Sequence, residues 1–162
     1  LEAICRELYQ SSAERGAFVC DFSVFKEIFN LQIRNIERLH STMFLAVIMI
    51  SKMSGEPLDG LKQDGVMRGL VNILRMNLRR GNVITHFSPT MLAILLPTVD
   101  YSSGDGVMER IKKIFYQEYP NSNVLFNYRI APLTAQTNQI IRRGKAQAED
   151  MPQIQKDLKE ET

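Results

Sequence analysis

The stretch GNVITHFSPTMLAILLP, residues 81–97, decides the fold. Val83, Thr85 and Phe87 alternate with Ile84 and His86. A period of two gives one strand with two unlike faces. Ser88, Pro89 and Thr90 follow. Proline presets φ for a tight turn, and the flanking hydroxyls can close it. Residues 91–96 are apolar throughout, as in a strand buried on both faces, and Pro97 stops the run. The segment therefore predicts a β-hairpin with an edge strand going out and a central strand coming back.

Outward from the hairpin, the pattern continues on both sides. Upstream, residues 61–80 predict a helix with Val66, Leu70, Ile73, Leu74 and Leu78 on one side. Asp59 is its expected cap and Gly81 its stop. Gly65 and Gly69 lower its propensity and suggest a close backbone approach. Before it, residues 43–50, MFLAVIMI, form a second wholly apolar strand, and residues 51–60 a loop. Downstream, residues 98–106 read as a loop, 107–118 as a helix with Val107, Ile111, Ile114 and Phe115 inward, and 123–131 as an alternating strand. The order from Met43 is β-α-β-β-α-β, the ferredoxin-like split arrangement within the α/β (α+β) class. Its first and third strands are central, and these are the two wholly apolar ones. They need helices on both faces of the sheet.

The crossover helices cover one face, and N-terminal helices are the expected cover for the other. Residues 22–39 carry a stripe of Phe22, Phe25, Phe29, Ile33, Ile36 and Leu39, with Asp21 as N-cap. The stripe fits packing on the domain's own sheet, the alternative being a helix pair across a homodimer. Residues 1–14 read as a helix with Leu1, Ile4, Cys5 and Leu8 on one face, and 16–20 as a short apolar connection. Residues 132–162 are charged, with only Met151, Ile154 and Leu158 at helical spacing, and suggest a peripheral helix or tail. The domain plan is thus residues 1–15, 16–131 and 132–162.

Composition narrows the function classes. The chain has 162 residues and a net charge of +2, too weak to argue for nucleic-acid binding by this segment. No apolar run approaches a membrane span. Because the first residue is Leu, a piece of a longer chain is expected. Cys5 and Cys20 lack zinc-site spacing and fit buried thiols of a cytoplasmic protein. His40 and His86 have no Cys or carboxylate at ligand spacing. Residues 102–106, SSGDG, make at most a weak anion nest, and Arg68, Arg75, Arg79 and Arg80 lie on or near one helix flank.

The block LRRGNVITHFSPTMLAILLPT with the later ERIKKIF resembles the GGDEF domain of diguanylate cyclases, whose usual form is roughly LR-x-x-D-x-V-A-R-Y-G-G-D-E-F-A-I-L-L-P. The resemblance spans residues 16–131. It implies a nucleotide-cyclase-type fold and sets the five signature positions on Ser88, Pro89, Thr90, Met91 and Leu92. The metal-binding aspartates of that family fall on Met49 and Ser51, and its R-x-x-D product site on Arg79, Arg80, Gly81 and Asn82. Proline cannot imitate a glycine that lets a nucleotide approach the backbone. Without carboxylates, nothing at these positions holds the metal that phosphoryl transfer needs. The resemblance thus implies a non-enzymatic relative with no cofactor. Arg79, Arg80 and Asn82 remain as a candidate patch for GTP or a cyclic dinucleotide bound without turnover.

Longer phrases, ERGAFVCDFSVFKEIF and ERIKKIFYQEYPNSNV, resemble the C-terminal region of bacterial transcriptional activators of the SARP family. In those proteins a winged helix binds DNA and a helical bacterial transcriptional activator domain follows. The implied role is a regulatory module of a cytoplasmic regulator. Its partners would be the other domains of the same chain, with DNA contacted elsewhere and no membrane. Direct DNA binding by this segment is a third, weaker expectation.

Overall fold

In the computed structural model the described residues are 2–8, 15–97, 101–120 and 123–136. The elements are α1 (Glu2–Leu8), β1 (Phe18–Val19), α2 (Phe22–Leu39), β2 (Met43–Lys52), α3 (Gly60–Asn77), β3 (Val83–Ser88), β4 (Met91–Leu96), α4 (Tyr101–Glu118) and β5 (Val124–Leu133). They build a five-stranded sheet in the order β1-β3-β4-β2-β5. The β2-α3-β3-β4-α4-β5 core is the expected split arrangement, with β4 and β2 central and antiparallel to their neighbours.

Two cores form on the two faces. Ile48, Ile50, Leu70, Leu74, Ile84, Leu92, Ile94, Phe115 and Phe126 pack between the sheet and the pair α3 and α4. Phe25, Ile33, Ile36, Met43, Val83, Ala93 and Leu95 pack between the sheet and α2. The second core is incomplete. On the α2 face, Leu45 and Val47 are only half-buried and Met49 is 43% exposed. Among the described N-terminal residues α2 is the cover: α1 is exposed from Glu2 to Arg6, Ile4 included. The expectation that both N-terminal helices close this face is therefore corrected.

Other boundaries also shift. The segment 16–20 is not a simple connection. Phe18 and Val19 pair in parallel with Val83 and Ile84, so β3 is sheltered where an edge was expected. The helix predicted over 61–80 ends at Asn77, and Leu78 is already extended. Asp59 stands at its N-cap without a side-chain cap bond, because its carboxylate meets Lys52 Nζ at 3.3 Å instead. The loop expected over 98–106 is helical from Tyr101, and residues 98–100 lie outside the described residues. Strand β5 runs on to Leu133 and includes Pro132, which an edge strand tolerates. Asp21 does cap α2: its Oδ1 accepts from Val24 N at 2.9 Å and Ser23 Oγ at 2.7 Å. Those bonds hold its carboxyl below the ordinary range. Part of the expected helix over 1–14 and the stripe of Met151, Ile154 and Leu158 lie outside the described residues.

Candidate functional site

The hairpin places its tip at one end of the two central strands. Ser88 and Met91 are cross-strand partners, so Pro89 and Thr90 alone make the turn. Neither has a positive φ, which suits proline and removes any need for glycine. Thr90 N donates to Ser88 Oγ at 3.4 Å. A bulge between His86 and Ser88 re-aims Phe87, which is 57% exposed. Thr90 O in turn accepts from Ile50 N at 3.0 Å, which ties the tip to β2.

This brings together the positions that the resemblance singled out. Met49 and Met91 are direct cross-strand partners, and Ser51 lies two residues further along β2. The pairing supplies thioethers and a hydroxyl at one end of the sheet. Magnesium takes hard oxygen ligands, chiefly carboxylates and water, so this donor set does not fit it. The nearest acids after β2 are already engaged: Lys52 Nζ lies 3.9 Å from Glu56 and 3.3 Å from Asp59. Among the described residues no group of three His, Cys, Asp or Glu side chains could hold a metal ion. Leu92 is fully buried in the α3–α4 core.

On the α3 face of the tip, Asp64, Met67, Arg68, His86 and Pro89 line a hollow of about 320 Å³. Asp64 and Arg68 come from the first half of α3, and Arg68 Nε donates to Asp64 O at 3.3 Å. Sequence reasoning missed this grouping. Its signal was the helical spacing of Asp64 and Arg68, but their approach to His86 exists only once α3 lies along β3.

The patch of Arg79, Arg80 and Asn82 occupies one turn after α3, closed by Asn82 N to Arg79 O at 2.9 Å. Its members are separated by burial. The two arginines are exposed, whereas Asn82 is 4% exposed and its carbonyl accepts from Phe18 N at 2.9 Å. The arginine flank of α3 is also broken: Arg75 is half-buried with its carbonyl bonded to Ala17 N, and Arg79 lies beyond the helix.

One further polar feature was not foreseen. Tyr128 on β5 approaches Asp105 Oδ1 at 2.8 Å and Glu109 Oε1 at 2.6 Å on α4. Its hydroxyl is pushed well above the usual phenol range by burial and then by these carboxylates. The contact clamps the first turns of α4 to the sheet. Cys20 is half-buried with Sγ 3.9 Å from Ile84 O, and burial followed by the charge of Asp21 raises its thiol. Cys5, expected to be buried, is exposed on α1.

With this geometry in place, comparison with solved structures shows what the fold resembles. It superposes on a DGC protein of Thermotoga maritima (TM-score 0.54, 15% identity, 70% of this chain and 79% of that one). It also matches the FimX GGDEF domain of Pseudomonas aeruginosa (TM-score 0.59, 14% identity, 82% and 88%). A third match is the GGDEF domain of DgcB from Caulobacter crescentus in complex with c-di-GMP (TM-score 0.60, 13% identity, 85% and 89%). The fold is therefore of the GGDEF type. No protein-family model and no curated protein matches the sequence. No helix among the described residues is long and apolar enough to cross a membrane.

Proposed function

We propose that this chain is a non-catalytic regulatory and interaction module built on a GGDEF-type fold. The observation that carries the reading is the cross-strand pair Met49 and Met91 at the hairpin tip. A diguanylate cyclase must neutralise a triphosphate there with metal ions held by carboxylates. Here two thioethers face one another, and Pro89 replaces a backbone N–H with a ring. The test is incubation of the purified chain with GTP and magnesium, followed by chromatography for a cyclic dinucleotide. No product is expected; turnover sensitive to Met91→Lys would sink the reading.

The resemblance to SARP-family activators supports a place beside a DNA-binding domain in a longer cytoplasmic regulator. The residues encoded before Leu1 test that placement: a winged helix and helical repeats support it, and a membrane sensor overturns it. A second reading is favoured by the hollow at Pro89, where Arg68 and His86 could meet an anionic ligand. One neighbour of the same fold was solved with c-di-GMP. In this reading the chain binds GTP or a cyclic dinucleotide without turnover. A thermal shift with each nucleotide, repeated in Arg68→Ala and Arg79→Ala, separates the tip hollow from the turn after α3. No shift at millimolar nucleotide removes the reading.

A further inference from the structure

Between α2 and the sheet lies an apolar hollow of about 500 Å³. That size falls within the roughly 300–1,000 Å³ of small-molecule pockets. Helix α2 builds one side with two rows of residues spaced by four. Phe25 and Phe29 form one row, and Phe22, Lys26 and Asn30 the other. Strands β2, β3 and β4 build the opposite side with Val47, Phe87 and Met91. Phe25 and Ala93 are buried at its inner end, while Phe22, Lys26 and Phe87 are exposed at the outer one.

The lining has a definite chemistry. Phe22 and Phe87 meet edge to face, with centroids 5.5 Å apart and planes at 81°. Rings held in this way take a further ring in offset or edge-on contact. Among the described residues the polar side chains of the lining are Lys26 and Asn30, and no carboxylate joins them. Lys26 Nζ lies 5.5 Å from the Phe22 centroid, and no described carboxylate pairs with it. Its ammonium rests on a ring face and keeps its N–H donors for an anion. An occupant that satisfies both the rings and the cation is flat, apolar and negatively charged at one end.

We propose that this hollow binds a flat aromatic carboxylate, with its rings against Phe29, Val47 and Met91 and its carboxylate at Lys26. The site is distinct from the hollow at Pro89. His86 and Phe87 are neighbours on β3 and line opposite faces of the sheet, so the sheet separates the two hollows. The proposal therefore stands apart from the nucleotide reading. A ligand seated here bridges α2 to the hairpin and fastens a helix that meets the sheet through the smaller of the two cores.

The test uses the full chain and naphthoate as the probe. Binding is read by displacement of anilinonaphthalene sulfonate fluorescence, with neutral naphthalenemethanol as the control. Naphthoate displaces the dye from one site per chain, and naphthalenemethanol does so several-fold more weakly. Lys26→Met weakens naphthoate by about threefold to tenfold and leaves naphthalenemethanol unchanged, whereas Lys26→Arg keeps the affinity. Lys26 is exposed, so neither change threatens the fold. Val47→Trp fills the hollow and abolishes binding of both probes. Bound naphthoate slows amide exchange in α2 and leaves α3 and α4 at the unliganded rate. Equal naphthoate affinity in the parent and in Lys26→Met overturns the proposal, as does a dye signal that naphthoate does not displace. Binding that weakens as the chain is concentrated also overturns it, because it assigns the hollow to a second copy.

Discussion

Gly65, Gly69 and Gly16 make the same covalent statement and have three different meanings. A methyl at Gly65 would meet nothing within 4 Å. A methyl at Gly69 would overlap the hydroxyl of Tyr119, where α4 approaches α3. At Gly16 φ is +88°, and a methyl would collide with the backbone carbonyl of Arg75. A side-chain tip can swing away, but a helix carbonyl cannot. Gly65→Ala is therefore expected to stabilise the fold by about 0.5–1 kcal/mol, the helix-propensity gain alone. Gly69→Ala gains the same propensity but displaces Tyr119 from the Phe115 ring, whose centroid is 5.1 Å away, and comes out near zero or slightly negative. Gly16→Ala combines an unfavourable φ with the collision and costs at least about 2 kcal/mol. Urea denaturation of the three variants checks the order. The close approach foreseen from the glycine spacing is thus found at Gly69 and not at Gly65. Nothing local distinguishes the two, because the difference is made by Tyr119, fifty residues downstream.

Among the elements, the hairpin was readable because its cause is local. Alternation, a proline turn and an unbroken apolar return run each act within a few residues, and the register Ser88 to Met91 follows from them. The unreadable elements have distant causes. Strand β1 is two residues long and exists because Phe18 N and Cys20 N donate to Asn82 O and Ile84 O across the sheet. The first turns of α4 contain Gly104 and Gly106, which oppose helix, yet Tyr128 holds Asp105 and Glu109 and Met108 is fully buried. Tertiary contacts override propensity there. At the candidate site the sequence shows which side chains are present, but not that Met49 and Met91 stand opposite each other. That register permits a direct check. Met49→Asp with Met91→Glu sets two like charges across a strand pair, which is expected to destabilise the fold by about 0.2–1 kcal/mol. Magnesium should restore part of the loss, because a cation between paired carboxylates removes their repulsion. The melting temperature of the double variant should therefore rise with millimolar magnesium while the parent's stays fixed. A variant indifferent to magnesium would show that the two side chains do not converge.

For the whole molecule, the sheet divides the core into unequal layers. The α3–α4 side holds a continuous aromatic cluster, with Phe115 centroids 5.4 Å from Phe126 and 5.5 Å from Tyr116. The α2 side holds a smaller cluster, and at its margin two hollows share Val47 and Met91 in their walls. Sequence periodicity sees that a helix has an apolar stripe; it does not see whether the stripe is broad enough for the sheet it must cover. Unequal layers should come apart separately. Phe115 is 0% exposed and Phe25 4%, so Ala at either site removes a comparable buried ring at a cost of about 3–5 kcal/mol. A domain is typically stable by only about 5–15 kcal/mol, so both variants sit near the threshold of unfolding. The consequences should differ in extent. Phe115 on α4 packs against Phe126 on β5 within the core that also holds α3, β2 and β4, hence its loss weakens that whole layer. Phe25 holds α2 to Ala93 and Leu95 at one margin. In hydrogen exchange followed by mass spectrometry, Phe115→Ala should accelerate amides in α3, α4, β2 and β4 together. Phe25→Ala should accelerate α2 and leave α3 and α4 at the parent rate, the behaviour of a locally unfolding unit. If Phe25→Ala speeds exchange everywhere, the two layers form one cooperative unit.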